Sequence, residues 1–228
     1  MTRSLVMLGL VVVVLSAPRA APANGEPVPT AAPLPPTHFE RFVLSGCSPC
    51  VKESHPVKTV QISPVKLPAL PGLAAGMPSR PGEIAFEVVR AWELGRAARQ
   101  LLAVRVTLSV GMGSAGQLFP LGFGVLDADD AGALAHAVSE MAKAAAAAPQ
   151  DAGAESIDID FHVGSLRVGL MRIRGDAVAY VQAGDIPTLA LRPVWQVPTT
   201  VFLPVSELPA LTAALTEVVA KIRTLRGS

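Results

Sequence analysis

Leu208, Leu211, Leu215, Val218, Ile222 and Leu225 recur at alternating spacings of three and four, which draws one apolar stripe along a helix of about five turns. Such a stripe needs a cover. Ahead of it, Thr199-Thr200-Val201-Phe202-Leu203 is β-branched and aromatic and stops at Pro204, so a strand feeds the helix. Ser206 reads as the N-cap, and Pro209 falls in the first turn, where its missing N–H has no helical partner. Lys221, Arg223 and Arg226 lie toward the carbonyl end, where the helix dipole favours cations, and Gly227 is the stop.

A second copy of this pattern lies upstream. Phe123-Gly124-Val125-Leu126 is the strand, Asp127 or Asp129 the cap, and Leu134, Val138, Met141 and Ala145 the stripe of an alanine-rich helix. One shift superposes Leu126 on Leu203, Leu134 on Leu211, Ala137 on Ala214 and Glu140 on Glu217, which predicts an internal duplication. Pro149-Gln150-Asp151-Ala152-Gly153 separates the halves.

Period-two alternation supplies the sheets. Ile157, Ile159, Phe161 and Val163 alternate with Asp158, Asp160 and His162, and Gly164-Ser165 is a two-residue hairpin turn. That turn sets Val163 opposite Leu166, Phe161 opposite Val168 and Ile159 opposite Leu170. A turn at Gly175-Asp176 then adds Ala179 and Val181 to the same apolar face, which only Arg172 interrupts. Its reverse collects Asp158, Asp160, His162, Arg167, Met171, Tyr180 and Gln182. In the first half, residues 84–88, 102–110 and 118–126 read as strands, and residues 39–45 and 57–63 as two more around Cys47-Ser48-Pro49-Cys50. Residues 64–81, rich in proline, are an irregular connection, and residues 188–192 a further strand.

These elements predict an α+β protein made of two tandem repeats, each an antiparallel sheet closed by a C-terminal helix. A signal peptide over residues 1–23 and a Pro/Ala-rich linker over 24–38 precede the first half, 39–149, and the second, 155–226. The signal peptide rests on Arg3, the apolar run 5–15 and the small residues Ala21-Pro22-Ala23. The run is short for a membrane span, and no later stretch approaches the ~20 apolar residues that one needs, although an uncleaved anchor is the alternative. Leu44-Ser45-Gly46-Cys47 spells a lipoprotein box but lies too far from the apolar run to serve as one.

The 228 residues carry 19 basic and 18 acidic side chains. Removing Arg3 and Arg19 with the signal peptide leaves 17 against 18, so the exported chain is near neutral. With no basic run, one Tyr, two Trp and seven Phe, it lacks the charge and the stacking platforms of a nucleic-acid binder.

Six candidate chemistries follow. Cys47 and Cys50, the only cysteines, are expected to form a local disulfide after export, worth roughly 2 kcal/mol. Cys-x-Pro-Cys followed by Lys52 resembles a thioredoxin active site, yet that chemistry needs a helix N-terminus behind the first Cys. His38, Cys47, Cys50 and His55 are spaced as a small zinc site could be. Asp158, Asp160 and His162 share one strand face about 7 Å apart, and with Arg167 and Tyr180 they form the candidate ligand surface or, alternatively, a site for zinc or another divalent metal. Gly111-Met112-Gly113-Ser114-Ala115-Gly116 fits a dinucleotide fingerprint, but Pro120 and strand-like sequence follow where a helix should begin. Arg174-Gly175-Asp176 spells an adhesion tripeptide, which turn chemistry alone explains.

The order strands, turn, helix over residues 156–225 resembles the Pur and Whirly type of single-stranded nucleic-acid-binding repeat. The resemblance implies topology only, since export, neutral charge and scarce aromatics depart from that family. No nucleophile, base and orienter converge in the sequence. The functional expectation is therefore an exported, periplasmic or secreted, non-enzymatic binding or assembly protein without an obligatory cofactor, acting on a protein partner or as a homo-oligomer. A metal-binding protein or metal-dependent enzyme using Asp158, Asp160 and His162 is the alternative.

Overall fold

The computed structural model describes residues 37–67, 79–96, 99–112, 117–147, 156–173, 176–184 and 199–227. The signal-peptide and linker expectations over 1–36, the strand at 188–192 and the Arg174-Gly175 turn lie outside them.

The chain is α+β. Strands β1 (Cys50–Ile62), β2 (Gly82–Glu93), β3 (Gln100–Met112) and β4 (Gln117–Asp127) form one antiparallel meander in sequence order. Strands β5 (Ser156–Val163), β6 (Leu166–Ile173), β7 (Asp176–Ala183) and β8 (Thr199–Pro204) form a second of the same order. Each sheet runs through a single 3-10 turn into a helix, α2 (Ala131–Ala146) after β4 and α3 (Leu208–Arg226) after β8. The duplication extends to the backbone angles: Asp127 (φ −65, ψ 145) enters its turn as Pro204 does (φ −65, ψ 144). Under the shift that pairs Leu126 with Leu203, buried Ala131, Leu134, Val138 and Met141 fall on buried Leu208, Leu211, Leu215 and Val218.

The two halves exchange helices. α3 lies on β1 and β2 of the first sheet, α2 lies on β5 and β6 of the second, and the helices pack on each other. The route follows from where the sheets meet: β4 touches β6 and β7, and β3 touches β7 and β8, so a helix leaving β4 emerges under the opposite sheet. One core results, with Ile84, Val88, Val104 and Leu108 of the first sheet, Leu166 and Leu203 of the second, and Leu134, Leu211 and Leu215 of the helices all buried. At the joint, Ser165 N donates to Val125 O at 3.0 Å and Val125 N donates to Ser165 Oγ at 2.7 Å. Gly164 there has φ +54, and a Cβ on it would stand 2.2 Å from Val125 O.

The hairpin register at Gly164-Ser165 is as the turn dictates: Val163 faces Leu166, Phe161 faces Val168 and Ile159 faces Leu170. Arg172, the exception on that apolar face, reaches the end of α2, where its Nη2 donates to Ala145 O at 3.1 Å and Ala147 O at 3.3 Å. A guanidinium satisfies helix-end carbonyls and complements their dipole.

Three local expectations are corrected. Residues 39–45 are not a strand: α1 (His38–Arg41) and a π-helical turn (Phe42–Gly46) occupy them. Thr37 and Glu40 form a capping box, and Asp127 accepts from His38 N at 2.8 Å and Phe39 N at 2.9 Å, so a carboxylate 89 residues along the chain from His38 holds the helix start. Asp127 is thus spent on α1, and α2 begins after Asp130 with no side-chain cap. Likewise Ser206 lies inside a 3-10 turn and does not cap α3, and Glu207 at the cap position accepts from Ser63 N at 3.0 Å instead.

Candidate functional site

The outer face of the second sheet, away from the helices, brings together the polar side chains that alternation assigned to it. β5 carries Asp158, Asp160 and His162, β6 carries Arg167, and β7 carries Tyr180. Arg167 sits opposite His162 and diagonal to Asp160, within reach of a long side chain. Its Nε donates to Asp160 Oδ2 at 2.7 Å, and the same oxygen lies 2.7 Å from His162 Nε2. Arg167 Nη2 is 3.6 Å from Asp158 Oδ2, and Tyr180 OH donates to Asp158 Oδ1 at 3.2 Å. The guanidinium also lies over the Tyr180 ring, 5.5 Å from its centre, while Phe202 of β8 tilts against the ring at 6.4 Å.

Gly169 makes this possible. It pairs with Tyr180 across the strands, and a Cβ on it would fall 2.2 Å from Tyr180 Cζ, so the ring lies on bare backbone and is buried. Burial, with the Asp158 and Asp160 charges adding to it against Arg167, pushes the Tyr180 phenol well up, which keeps it a donor at neutral pH. The His162 hydrogen bond, followed by the Arg167 charge and hydrogen bond, holds the Asp160 carboxyl below its usual range against the opposing effect of burial. Arg167 therefore bridges two carboxylates with a single positive charge. Asp158 and His162 remain about half exposed at the rim, at 53% and 47%.

An imidazole oriented by a carboxylate is half of a general-base arrangement. Among the described residues no hydroxyl or thiol hydrogen-bonds to His162, and Asp160 is shared with Arg167. A cation between Asp158 and Asp160 would have to displace that guanidinium, and no three His, Cys, Asp or Glu side chains converge as a ligand set among the described residues.

The four residues spaced like a zinc site do not meet. Cys47 and Cys50 are bonded to each other, His38 Nδ1 lies 3.8 Å from Asp127 Oδ2, and His55 Nε2 lies 3.5 Å from Glu53 Oε1. Cys47 also follows the carbonyl end of a helical turn, the opposite of the setting that stabilises a thioredoxin-type thiolate. Of the glycine fingerprint, Gly111 and Met112 end β3, residues 113–116 lie outside the described residues, and strand β4, not a helix, follows from Gln117.

Two features escaped the sequence. A polar cleft of ≈ 230 Å³ lies where α1, the 3-10 turn and the end of α3 meet, lined by His38, Gln100, Leu101, Asp127 and Arg226, with Asp129 paired to Arg226. Nothing in spacing could have found it, because its parts come from four distant segments. The second is apolar: Leu118, Phe119, Leu121 and Phe123 of β4 are all exposed. A signal for it exists, since no charged residue separates Arg105 from Asp127.

No protein-family model matches the chain, and comparison with curated proteins found no match. Among the described residues no helix is long and apolar enough to cross a membrane.

Proposed function

We propose that this is an exported, non-enzymatic binding or assembly protein whose ligand surface is the outer face of β5–β8. The supporting observation is the Asp158–Arg167–Asp160–His162 network laid over Tyr180. It is a set of donors and acceptors fixed by strand register, with Asp158 and His162 open at the rim and no nucleophile beside the Asp160–His162 pair among the described residues. Rigid strands hold such a set better than loops do. Export rests on the N-terminal charged, apolar and small-residue series and places the protein in the periplasm or outside the cell.

The test separates binding from metal chemistry. Amide NMR spectra of the purified chain are recorded with spermidine, citrate or zinc as probes. Binding predicts that an organic probe shifts amides of β5–β7 and that Arg167→Ala abolishes the shift. Stoichiometric zinc uptake lost in Asp160→Ala would replace this reading with the metal-dependent one, and no response on β5–β7 to any probe would remove the face from consideration.

A further inference from the structure

We infer that the free edge of β5 receives an extended strand of a partner protein whose side chains alternate between basic and apolar, paired antiparallel along Asp158 to His162. The inference deepens the proposal that the β5–β8 face is the ligand surface, rests on it, and names the class of ligand.

A sheet edge offers unpaired backbone N–H and C=O groups to an incoming strand, and proteins close such edges with proline, bulges, shortness or cover. Three of the four edges here are closed in those ways. β1 carries Pro56 and a register shift between Pro56 and Lys58. β4 is held from Leu121 to Val125 by Thr199 and Ser165. β8 has six residues, and its first, Thr199, makes that contact with β4. β5 differs from all of these. Its eight residues pair with β6 without proline or register shift, and among the described residues no strand lies on its other side. It abuts the first half only at the hairpin, where Gly164 lies against Val125 and Thr37.

The turn decides which backbone groups face outward. Gly164, at φ +54, and Ser165 make a two-residue turn closed by Val163 and Leu166, and such a closing pair exchanges both hydrogen bonds. Phe161, Ile159 and Ile157 follow at intervals of two and bond to β6 in the same way, so the N–H and C=O groups of Asp158, Asp160 and His162 point away from the sheet. The residues whose side chains form the polar network therefore also hold the open ladder.

The two side-chain rows select the occupant. On the outer row two carboxylates share one guanidinium, and Asp158 is 53% and Asp160 32% exposed, which favours a cation beside them. On the row facing α2, Ile159 is 40% exposed and Ile157, Phe161 and Val163 are half-buried. An added strand with lysine or arginine opposite Asp158 and Asp160 places its alternate residues opposite Ile159 and Phe161, where apolar side chains fit. Backbone bonds then supply affinity and the alternation supplies selection, as in other strand-addition complexes. A second copy of this chain does not meet these terms. β5 beside β5 sets carboxylates against carboxylates, and the lysines of β1 lie on a strand broken by Pro56.

Amide hydrogen exchange of the purified chain, followed by NMR with the end-blocked peptide Lys-Val-Lys-Val-Lys-Val at millimolar concentration, tests this. Exchange at Asp158, Asp160 and His162 should slow about tenfold or more, and Asp158→Asn/Asp160→Asn should weaken the peptide about tenfold. N-methylation of the lysine amides, which face β5 in an antiparallel ladder, should abolish the protection, and N-methylation of the valine amides should leave it in place. The peptide Lys-Lys-Lys-Val-Val-Val, of equal charge, should protect none of the three. If the double asparagine variant lowers the melting midpoint, the methylated peptides decide the matter on the native chain. No protection by the alternating peptide, undiminished protection by its lysine-methylated form, or protection of the same amides on raising the protein concentration alone would each overturn the inference. Should spermidine shift β5–β7 amides while the alternating peptide protects none, the strand partner is excluded and the ligand face stands. Silence toward both removes the face as well.

Discussion

The first and second halves share a backbone plan but not a packing material. α3 is long and rich in leucine; on β2 beneath it Ile84 and Val88 have no exposed surface, and on the edge strand β1 Val60 and Ile62 are buried. α2 is built largely of alanine, and on β5 beneath it Ile157, Phe161 and Val163 are only half-buried while Ile159 is 40% exposed. In both halves the edge strand under the helix is the less buried one, and β5 is the more open of the two, with no described residue fully buried where β1 has Val60 and Ile62. The open edge, β5, also carries Asp158, Asp160 and His162. Low local burial is what permits local opening, so the candidate site lies on the less constrained half.

Substituting equivalent positions breaks the comparison most directly. Leu215 and Val138 occupy matched sites in α3 and α2, both buried. Burying the six large stripe residues of α3 contributes on the order of 10 kcal/mol before conformational entropy is counted, so Leu215→Asp should abolish cooperative unfolding and leave an unfolded chain by circular dichroism. The milder pair ranks the halves: Leu215→Ala should cost about 2–5 kcal/mol in urea unfolding and Val138→Ala visibly less, because fewer methyl groups leave the core. Equal losses, from the smaller deletion in α2, would mean that α2 is packed the more tightly of the two. A folded, soluble Leu215→Asp protein would contradict the core assignment itself.

Next in size is the joint. Gly164→Ala places a Cβ 2.2 Å from Val125 O and 2.9 Å from Leu126 Cα, both backbone, at a φ that side chains disfavour. The loss should be about 2–3 kcal/mol, read as a lower urea midpoint, and amide shifts should appear in β4 as well as in the β5–β6 hairpin. Shifts confined to the hairpin would show that the halves are not clamped there.

How much of this was legible follows from which interactions are local. The stripe Leu208 to Leu225, the hairpin register at Gly164 and the strand face of Asp158 all obey short periods, and the fold keeps them. The helix at residues 38–46 was misread because its start is held by Asp127, a long-range partner that spacing cannot announce. The exchange of helices between sheets was invisible for the same reason, since an apolar stripe states that it needs a cover without naming one. At the site, sequence placed Arg167 opposite His162 but could not show its Nε on Asp160, nor that Gly169 seats the Tyr180 ring.

A stabilising change sharpens the contrast from the weak side. Gly132 lies in the first turn of α2, where an added Cβ meets nothing within 4 Å, and its counterpart in α3 is Pro209. Gly132→Ala should raise stability by about 0.5–1 kcal/mol through helix propensity alone. If α2 limits local opening of the second half, hydrogen exchange in β5 should slow in this variant while β2 and β3 keep their native rates.

The smallest effect is electrostatic. Asp160 titrates below the usual carboxylate range, chiefly through its hydrogen bond to His162 and secondarily through Arg167. A folded-state value below the unfolded one adds stability that is complete above the unfolded carboxylate range, near pH 4, and is lost as pH falls through the depressed value. The group is partly solvated, so screening keeps the contribution small and the thermal midpoint of Asp160→Asn should differ little from the native one at neutral pH, the two converging in acid. Carbon-detected NMR titration of the Asp160 carboxyl resolves the cause. His162→Ala should raise its midpoint more than Arg167→Ala does. The reverse order would make Arg167 the partner that fixes Asp160.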